Sequence, residues 1–208
     1  MSIPGIKSKP VYTGLTPDPG GCQHVLAGEG PGAEALLRLR RELAEGNDGM
    51  APEASAVALF YTAGAGPDQG EELAEGGRDF PQPWRFPDTE GLCSALGDYL
   101  ADSGMGVRLY VAGSEAFLWR VVATARDGVG ISEAAIQMER CGPPARPVCC
   151  IHCKTTDPAV STTVYQCPGC GLNLFVRDHF SRRLGVYQGV CVDAEAPGDV
   201  PEPEELDS

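Results

Sequence analysis

Four cysteines near the C-terminus have the residue type and the spacing of a metal site. They form the pattern C-x2-C-x13-C-x2-C and are Cys150, Cys153, Cys167 and Cys170. Two cysteines separated by two residues can direct both sulfurs at one ion from a single turn, and two such pairs supply four thiolates in a tetrahedron. The second pair lies in the run Cys-Pro-Gly-Cys-Gly at 167–171, which favours such a turn because proline fixes φ and glycine permits positive φ. We therefore expect a bound metal rather than free or disulfide-bonded thiols.

The expected metal is zinc, with a rubredoxin-type iron as the less favoured alternative. Lys154 follows the first cysteine pair where rubredoxin knuckles usually have glycine, and the loop between the two pairs is short for that fold. Zinc is redox-inert, so it would fold the module and hold a docking surface. Four cysteines complete a tetrahedron, so His179 is not expected to be a ligand. His152 is a candidate hydrogen-bond partner of a ligand sulfur.

The sequence offers no catalytic residue of its own. We find no Ser-His-Asp arrangement and no C-x-x-C-H haem-attachment motif, because Lys154 follows the first cysteine pair and Gly171 follows the second. The remaining histidine, His24, lies in an apolar strand pattern and is expected to be a core histidine with a satisfied hydrogen bond.

The bulk composition predicts a cytoplasmic globular protein with one ordinary domain and a small appendage. The 208 residues are 42% hydrophobic and contain no apolar run long enough to span a membrane. Residues 1–21 lack the apolar core of a secretory signal, and nine cysteines without such a signal indicate a reducing compartment. The net charge of −13 argues against binding to the phosphate backbone of a nucleic acid.

Charge is unevenly distributed along the chain. Residues 146–191 carry five basic and two acidic side chains, so a nucleic-acid-binding zinc ribbon remains an alternative. A solvated or partner-facing surface is favoured because the rest of the chain is acidic. Arg182 and Arg183 are candidates for docking on a carboxylate-rich partner. Residues 193–208 contain seven acidic side chains, no basic one and three prolines, which predicts a disordered acidic tail.

Strand and helix patterns alternate through the first two thirds of the chain. Short apolar runs predict buried strands, at residues 23–27, 56–62, 84–86, 107–112 and 135–139. Periodic apolar stripes predict helices, at residues 33–44, 70–74, 89–104 (with Thr89 as the cap and Gly104 as the end) and 115–126. This alternation predicts an α/β fold, in which helices flank a Rossmann-like parallel sheet.

We expect the α/β domain to be followed by a small zinc-ribbon domain. In the ribbon, residues 162–166 and 172–177 should pair as a hairpin around the second cysteine pair. The complete expected organisation is an extended arm at 1–21, the α/β domain at 22–140, a stiff linker at 141–147, the zinc ribbon at 148–192 and the acidic tail at 193–208.

Residues 22–140 resemble the NAD(P)-binding module of flavin-containing ferredoxin reductases of the phthalate dioxygenase reductase type. The likeness is carried by Val-Leu-Ala-Gly-Glu-Gly at 25–30 with the helix after it, by the strand and turn at 109–117, and by the closing element at 130–139. The resemblance implies an NADPH site, whose candidate residues are Gly28, Gly30, Gly32 and Gly113.

Departures from that family favour a structural domain over a retained NADPH site. A glycine turn at a helix N-terminus attracts a pyrophosphate, but Glu29 stands in this turn, and its carboxylate would compete with or repel phosphate. Residues 112–114 are Ala-Gly-Ser where the family has Cys-Gly-Pro, so the cysteine near the nicotinamide is missing. The chain also shows neither a flavin-binding barrel nor a plant-type iron–sulfur pattern.

Residues 150–195 resemble the small subunit of bacterial dimethylamine monooxygenases, and the run Arg-Asp-His-Phe-Ser-Arg-Arg-Leu-Gly-Val-Tyr at 177–187 is the most specific part. The resemblance implies a hetero-oligomer with a haem-containing catalytic subunit and a reductase subunit that carries flavin and an iron–sulfur centre. It further implies NADPH- and O2-dependent oxidative N-demethylation of dimethylamine to methylamine and formaldehyde, within methylated-amine metabolism.

We interpret the chain as a non-catalytic structural or assembly subunit of such a complex. The first alternative is the NADPH-binding electron-input component of the same complex, which would deliver hydride to flavin on a partner. The second alternative is an unrelated nucleic-acid-binding zinc-ribbon protein. Under the favoured interpretation neither a nucleic acid nor a membrane is a partner.

Overall fold

Two units make up the chain in the computed structural model, which describes residues 8–45, 56–75 and 81–206. The first unit contains the described residues from Tyr12 to Gly142. The second contains residues 8–11 together with residues 143–206. No helix in these ranges is long and apolar enough to cross a membrane.

The first unit is built on a five-stranded parallel sheet. Its strands are β1 (Gln23–Glu29), β2 (Val57–Thr62), β3 (Trp84–Phe86), β4 (Val107–Gly113) and β5 (Ile136–Arg140). Their order across the sheet is β3-β2-β1-β4-β5, and every neighbouring pair is parallel. β2 is buried along its whole length, as expected for an inner strand covered on both faces.

Helices cover both faces of this sheet and bury two apolar clusters. The helices are α1 (Gly32–Glu45), α2 (Gly70–Glu75), α3 (Thr89–Ala101) and α4 (Glu115–Ala123). Leu36, Leu39 and Leu43 of α1 pack on one face, together with Leu73 of α2. α3 and α4 pack on the other face, where Leu96 lies in the second cluster. The predicted α/β fold with a parallel sheet flanked by helices is confirmed.

Two helix ends differ from the sequence-based expectation. The cap of α3 is Asp88 rather than Thr89, because the Asp88 carboxylate accepts a hydrogen bond from the Gly91 N–H at 2.8 Å. α4 does not continue to residue 126; at Thr124 it passes into a π-helical turn, Thr124–Val129. The Thr124 hydroxyl donates to the carbonyl of Arg120 at 3.2 Å, a contact that competes with regular helix geometry.

Residues 12–21 are extended, as expected, and are bound closely to the α/β unit. The Leu15 side chain is buried, and its N–H donates to the Glu139 carboxylate at 2.8 Å. Asp18 pairs with Arg108 at 2.5 Å. The Tyr12 hydroxyl donates to the Glu115 carboxylate at 2.6 Å. This segment therefore contributes to the α/β core.

The second unit contains another five-stranded sheet rather than a hairpin ribbon alone. Its strands are β6 (Arg146–Cys150), β7 (Thr156–Val160), β8 (Val164–Gln166), β9 (Asn173–Ser181) and β10 (Val186–Cys191), in the order β7-β6-β10-β9-β8. β8 and β9 pair as the predicted antiparallel hairpin. β10 pairs antiparallel with β9 and parallel with β6, which the sequence patterns had not indicated.

The structure also differs from what was expected of two segments, the linker at 141–147 and the acidic tail at 193–208. β6 begins at Arg146, inside the segment 141–147 that was expected to be a linker. The predicted disordered tail is held at its far end: Glu205 bridges to Thr162, and the Leu206 N–H donates to the Ser161 carbonyl at 2.8 Å. The Leu206 side chain is buried, so one apolar residue anchors an otherwise acidic segment.

Candidate metal centre and candidate nucleotide site

The four predicted ligand sulfurs lie together in the second unit. The sulfurs of Cys150, Cys153, Cys167 and Cys170 all lie within 4.8 Å of one another. Cys150 Sγ is 3.8 Å from Cys170 Sγ, and Cys153 Sγ is 3.6 Å from Cys167 Sγ. A tetrahedral ion with zinc–sulfur bonds of about 2.3 Å requires sulfur–sulfur distances of about 3.8 Å. The four residues therefore fit a single tetrahedral thiolate-bound ion.

The first cysteine pair sits on a turn at the end of β6. The Lys154 N–H donates to the Cys150 carbonyl at 2.9 Å, and the Cys150 N–H donates to the Thr155 carbonyl at 2.9 Å. Lys154 has φ of +65°, the left-handed conformation in which glycine is usual. The Ile151 N–H donates to the Gly189 carbonyl at 3.1 Å, so β10 fixes this turn from the neighbouring strand position.

The second cysteine pair sits on the β8–β9 turn. The Cys167 N–H donates to the Leu172 carbonyl and the Gly171 N–H to the Cys167 carbonyl, both at 2.9 Å. Of the two glycines in this turn, Gly171 has positive φ, at +74°, and Gly169 does not. Gly169 is required for close packing instead, because an added Cβ would lie 2.1 Å from Thr155 Oγ1.

Proton affinities in the cluster show why these four thiols need a cation. Hydrogen bonds from the Thr155 hydroxyl and backbone lower the pKa of Cys153 to about 6. The Leu172 N–H lowers the pKa of Cys170, but desolvation and the neighbouring sulfurs outweigh it and raise that pKa to about 12. The Cys170 thiol therefore keeps its proton near neutral pH unless a metal compensates the charge, and metal binding would release that proton.

The centre is closed. Cys150 and Cys167 are buried, and Leu174 and Tyr165 pack against them. Four sulfurs leave no open coordination position for substrate or water, which is the arrangement of structural rather than catalytic sites. His152 is exposed and makes no hydrogen bond to a ligand sulfur within the described ranges, so its predicted role is not found.

His24 is the core histidine that the sequence predicted. It is buried on β1, and its Nδ1 lies 3.1 Å from the Tyr110 hydroxyl, with the two rings stacked. Burial lowers the pKa of His24 below its usual value, and the nearby Asp18 opposes that effect only in part. The histidine is therefore held in its neutral form.

The four candidate nucleotide-binding glycines meet where the carboxyl ends of β1 and β4 lie side by side. α1 and α2 cover one face and α3 and α4 the other, so the topology reverses between these two strands, which is where such folds bind ligands. The residues Gly28, Gly30, Gly32 and Gly113 all lie at this edge. The structure thus brings the predicted residues together, and it also gives each a structural role.

Close packing accounts for three of these glycines and backbone conformation for the fourth. A Cβ on Gly32 would lie 2.1 Å from the Ala112 carbonyl oxygen, because α1 approaches β4 closely there. A Cβ on Gly28 would lie 2.6 Å from Leu36, and one on Gly113 would lie 2.8 Å from Phe117. Gly30 has φ of +47°. The glycine pattern is therefore explained without a bound nucleotide.

Glu29 places its carboxylate at this edge, at the N-terminal ends of α3 and α4. Ser114, the N-cap of α4, donates its hydroxyl to Glu29 Oε2 at 2.5 Å, and the Ser114 N–H donates to the same oxygen at 3.3 Å. Thr89, the first residue of α3, donates its hydroxyl to Oε1 at 3.3 Å. The carboxylate thus occupies the N-terminal ends of two helices, where a phosphate would otherwise be favoured.

The sequence identifies Glu29 as a residue that would oppose phosphate binding, but it does not identify the two residues that donate hydrogen bonds to its carboxylate. Ser114 was noted only as a replacement for proline in the resembled turn, and Thr89 only as a cap. A hydroxyl residue at the start of each helix was a signal that each could cap its helix. Nothing in the sequence indicated that both would turn toward one carboxylate.

The fold and the metal centre define a class: a Rossmann-like α/β unit joined to a β-sheet module with a closed four-cysteine centre. Residues 4–136 match the family described as dimethylamine monooxygenase subunit DmmA-like, N-terminal domain. Residues 147–190 match the C-terminal domain of the same family. The chain belongs to the DmmA-like dimethylamine monooxygenase subunit family, which confirms the resemblance identified from the residues at 177–187.

A curated relative and two solved structures extend this comparison. The chain is 43% identical over 112 residues to the heme-dependent oxidative N-demethylase delta subunit of Ectopseudomonas mendocina (strain ymp), covering 54% of this chain and 63% of that protein, less than two thirds of its length. Phthalate dioxygenase reductase aligns with 15% identity and a TM-score of 0.45, over 83% of this chain and 66% of that one. An Amycolatopsis cytochrome P450 reductase aligns with 25% identity and a TM-score of 0.41, over 59% and 38%.

Proposed function

We propose that the chain is a structural subunit of a multi-subunit, haem-dependent oxidative N-demethylase. Membership of the DmmA-like family supports this, as does 43% identity to the delta subunit of such an enzyme. The proposed reaction of the complex is NADPH- and O2-dependent conversion of dimethylamine to methylamine and formaldehyde. The haem would reside in a catalytic subunit, and flavin and an iron–sulfur centre in a reductase subunit.

The proposed metal is one zinc ion on Cys150, Cys153, Cys167 and Cys170. The sulfur–sulfur distances and the closed surroundings support a structural ion, which would hold the turn after β6 against the β8–β9 turn. Because zinc does not change oxidation state, this role involves no electron transfer. Purified protein with the visible absorption band of an iron–thiolate centre would replace zinc by iron in this proposal.

The observation that carries the structural role is the Glu29 carboxylate at the junction of β1 and β4. A pyrophosphate bound there would meet a negative charge that already accepts the hydrogen bonds of Ser114 and Thr89. Two like charges about 4 Å apart repel by about 4 kcal/mol at the effective dielectric typical near a protein surface. That energy corresponds to roughly a thousandfold in Kd, enough to abolish micromolar binding of NADPH.

Calorimetric titration of NADPH tests this role directly. The isolated wild-type chain should show no NADPH binding, and the assembled complex should bind NADPH equally with and without this chain. Glu29→Gln keeps an oxygen acceptor for Ser114 and removes the charge, so any latent site should appear in that variant. Glu45→Gln, at the exposed far end of α1, is the matched control.

The alternative role as NADPH-binding input component has one structural argument in its favour. The sheet reverses its topology at the candidate glycines, where nucleotides bind in folds of this type. Under this alternative, NADPH would bind wild-type chain with micromolar affinity, and Gly30→Glu would abolish that binding. Such a result would overturn the structural role, while leaving membership of the complex intact.

A further inference from the structure

The β9–β10 hairpin presents a basic surface on an acidic protein. Arg177 lies on β9, and Arg182 and Arg183 lie in the turn between the two strands; all three are exposed. None of these arginines forms an ion pair with another residue in the portion of the chain that the structure covers. Their charge is therefore available for an external partner.

The acidic residue nearest to them in sequence does not neutralise these arginines. The Asp178 carboxylate lies 3.0 Å from the guanidinium of Arg146 and 3.9 Å from the Lys9 ammonium. Arg146 is itself buried and lies 4.8 Å from the centre of the Tyr187 ring. Asp178 thus belongs to an internal network on β6 and β9, and the hairpin retains a net positive charge.

The tip of the hairpin is ordered by its own backbone. The N–H groups of Leu184 and Gly185 donate to the Ser181 carbonyl at 3.2 and 2.8 Å, and Gly185 has φ of +66°. Phe180 and Tyr187 pack edge to face at the base of the turn, with ring centres 4.8 Å apart. An ordered tip loses little conformational entropy when it binds.

Exposed apolar side chains accompany the arginines. Phe175 is 42% exposed and Leu184 is 57% exposed. Phe175 shares a face of β9 with Arg177, because Leu174 and Val176 alternate with them and are buried. Arginine and aromatic side chains are enriched at the centre of protein–protein interfaces.

We infer that the β9–β10 hairpin docks this chain on an acidic surface of another subunit. The inference rests on the proposed function and adds the docking element and the charge of its partner. A second copy of this chain fits less well than a subunit of smaller net negative charge, because two copies that each carry −13 repel one another at long range. A nucleic acid fits poorly for the same reason, and because Phe175 and Leu184 offer apolar rather than ionic contacts.

Charge reversal in the full-length chain tests the inference. The probes are the haem-containing subunit and the flavin and iron–sulfur reductase subunit of the same complex, each purified separately. Arg182→Glu/Arg183→Glu should weaken binding to one of them by at least about tenfold and reduce the salt dependence of Kd. Arg41→Glu, an equally exposed arginine on α1, should leave Kd unchanged.

A pair of charge-neutralising substitutions controls for the possibility that charge reversal unfolds the hairpin. Arg182→Gln/Arg183→Gln should weaken binding by an intermediate factor, and each variant should retain its metal content and the protection of β6 to β10 against amide hydrogen exchange. If the wild type binds but all variants bind equally, the docking inference is wrong and the proposed function stands. If the wild type binds neither subunit, both are wrong. If the reversal abolishes binding only to a short duplex DNA, the hairpin is a nucleic-acid surface and the inference is again wrong.

Discussion

At the scale of single residues, glycine and proline signals indicated where turns occur but not which glycine each turn requires. The sequence offers two glycines, Gly169 and Gly171, for the turn of the second cysteine pair, and positive φ occurs at Gly171. Gly169 instead lies against Thr155 of the other turn. A contact between two turns depends on the folded arrangement, so local sequence could not reveal it. The clustering of the four cysteines was predictable because the C-x2-C spacing is itself local.

Substitution of one ligand should remove the metal, whereas substitution of its near neighbour should not. Cys153→Ser replaces a sulfur whose hydrogen bonds with Thr155 favour the thiolate, so metal content should fall from about one ion per chain to near zero. Cys149→Ser alters a cysteine adjacent to Cys150 but outside the cluster, and should retain the ion. Elemental analysis of the purified proteins measures both, and equal loss in both variants would contradict the assigned ligand set.

The buried His24 should make the α/β unit sensitive to acid. Burial holds its pKa in the folded protein below the value of about 6.5 expected in the unfolded chain, so the unfolded state binds the proton more readily. Stability is therefore full above pH about 6.5 and is lost as pH falls below it, by at most about 1.4 kcal/mol per pH unit. Urea unfolding between pH 5 and 8, as set by that reference pKa, measures the slope.

The control for this titration is His24→Gln, which retains a polar group and cannot titrate. Its free energy of unfolding should depend less on pH than that of the wild type over the same window. Both tryptophans, Trp84 and Trp119, lie in the α/β unit, so their fluorescence follows this unit. Equal pH dependence in the two proteins would show that His24 is not the responsible group.

At the scale of elements, alternation of strands and helices was sufficient to predict the parallel sheet. Apolar runs in the sequence predicted β1, β2 and β4, because buried strands are rich in apolar residues. The pairing of β10 with β6 was not predictable, because it joins Tyr187 to Val148 across a long stretch of chain. The π-helical turn after α4 was missed because the apolar spacing continues through it.

The extended segment before β1 should contribute measurably to stability. Leu15→Ala removes a buried side chain from the cluster beneath α1 and should lower the free energy of unfolding by about 2–5 kcal/mol. Val11→Ala, four residues earlier, changes a side chain that is 82% exposed and should have little effect. Denaturant unfolding monitored by tryptophan fluorescence compares the two, and equal stabilities would show that the segment is dispensable.

At the scale of the whole molecule, each unit relies on a different source of stability. The α/β unit has two extensive apolar clusters, one on each face of its sheet. In the second unit, the cluster around the candidate metal centre is built mainly from the ligand cysteines and Leu174. We expect a cluster of that kind to depend on a bound ion to offset the entropy of ordering the two cysteine turns.

Chelation should therefore unfold one unit selectively. Removing the metal with a strong chelator should raise amide hydrogen exchange throughout β6 to β10, while β1, β2 and β4 remain protected. Tryptophan fluorescence should stay unchanged, because neither tryptophan lies in the second unit. Re-addition of zinc should restore protection. Simultaneous loss of protection in both units would contradict independent stabilisation.

The place of β10 in the second sheet has a consequence for the order of events during synthesis. β10 is the last strand of that sheet to leave the ribosome, yet it lies between β6 and β9. All four metal ligands are translated before it. The ion can therefore join the two cysteine turns before β10 has been synthesised. β10 then inserts between β6 and β9, whose cysteine turns the ion already holds together. Metal supply during translation would then govern how much of the newly made chain reaches its native sheet.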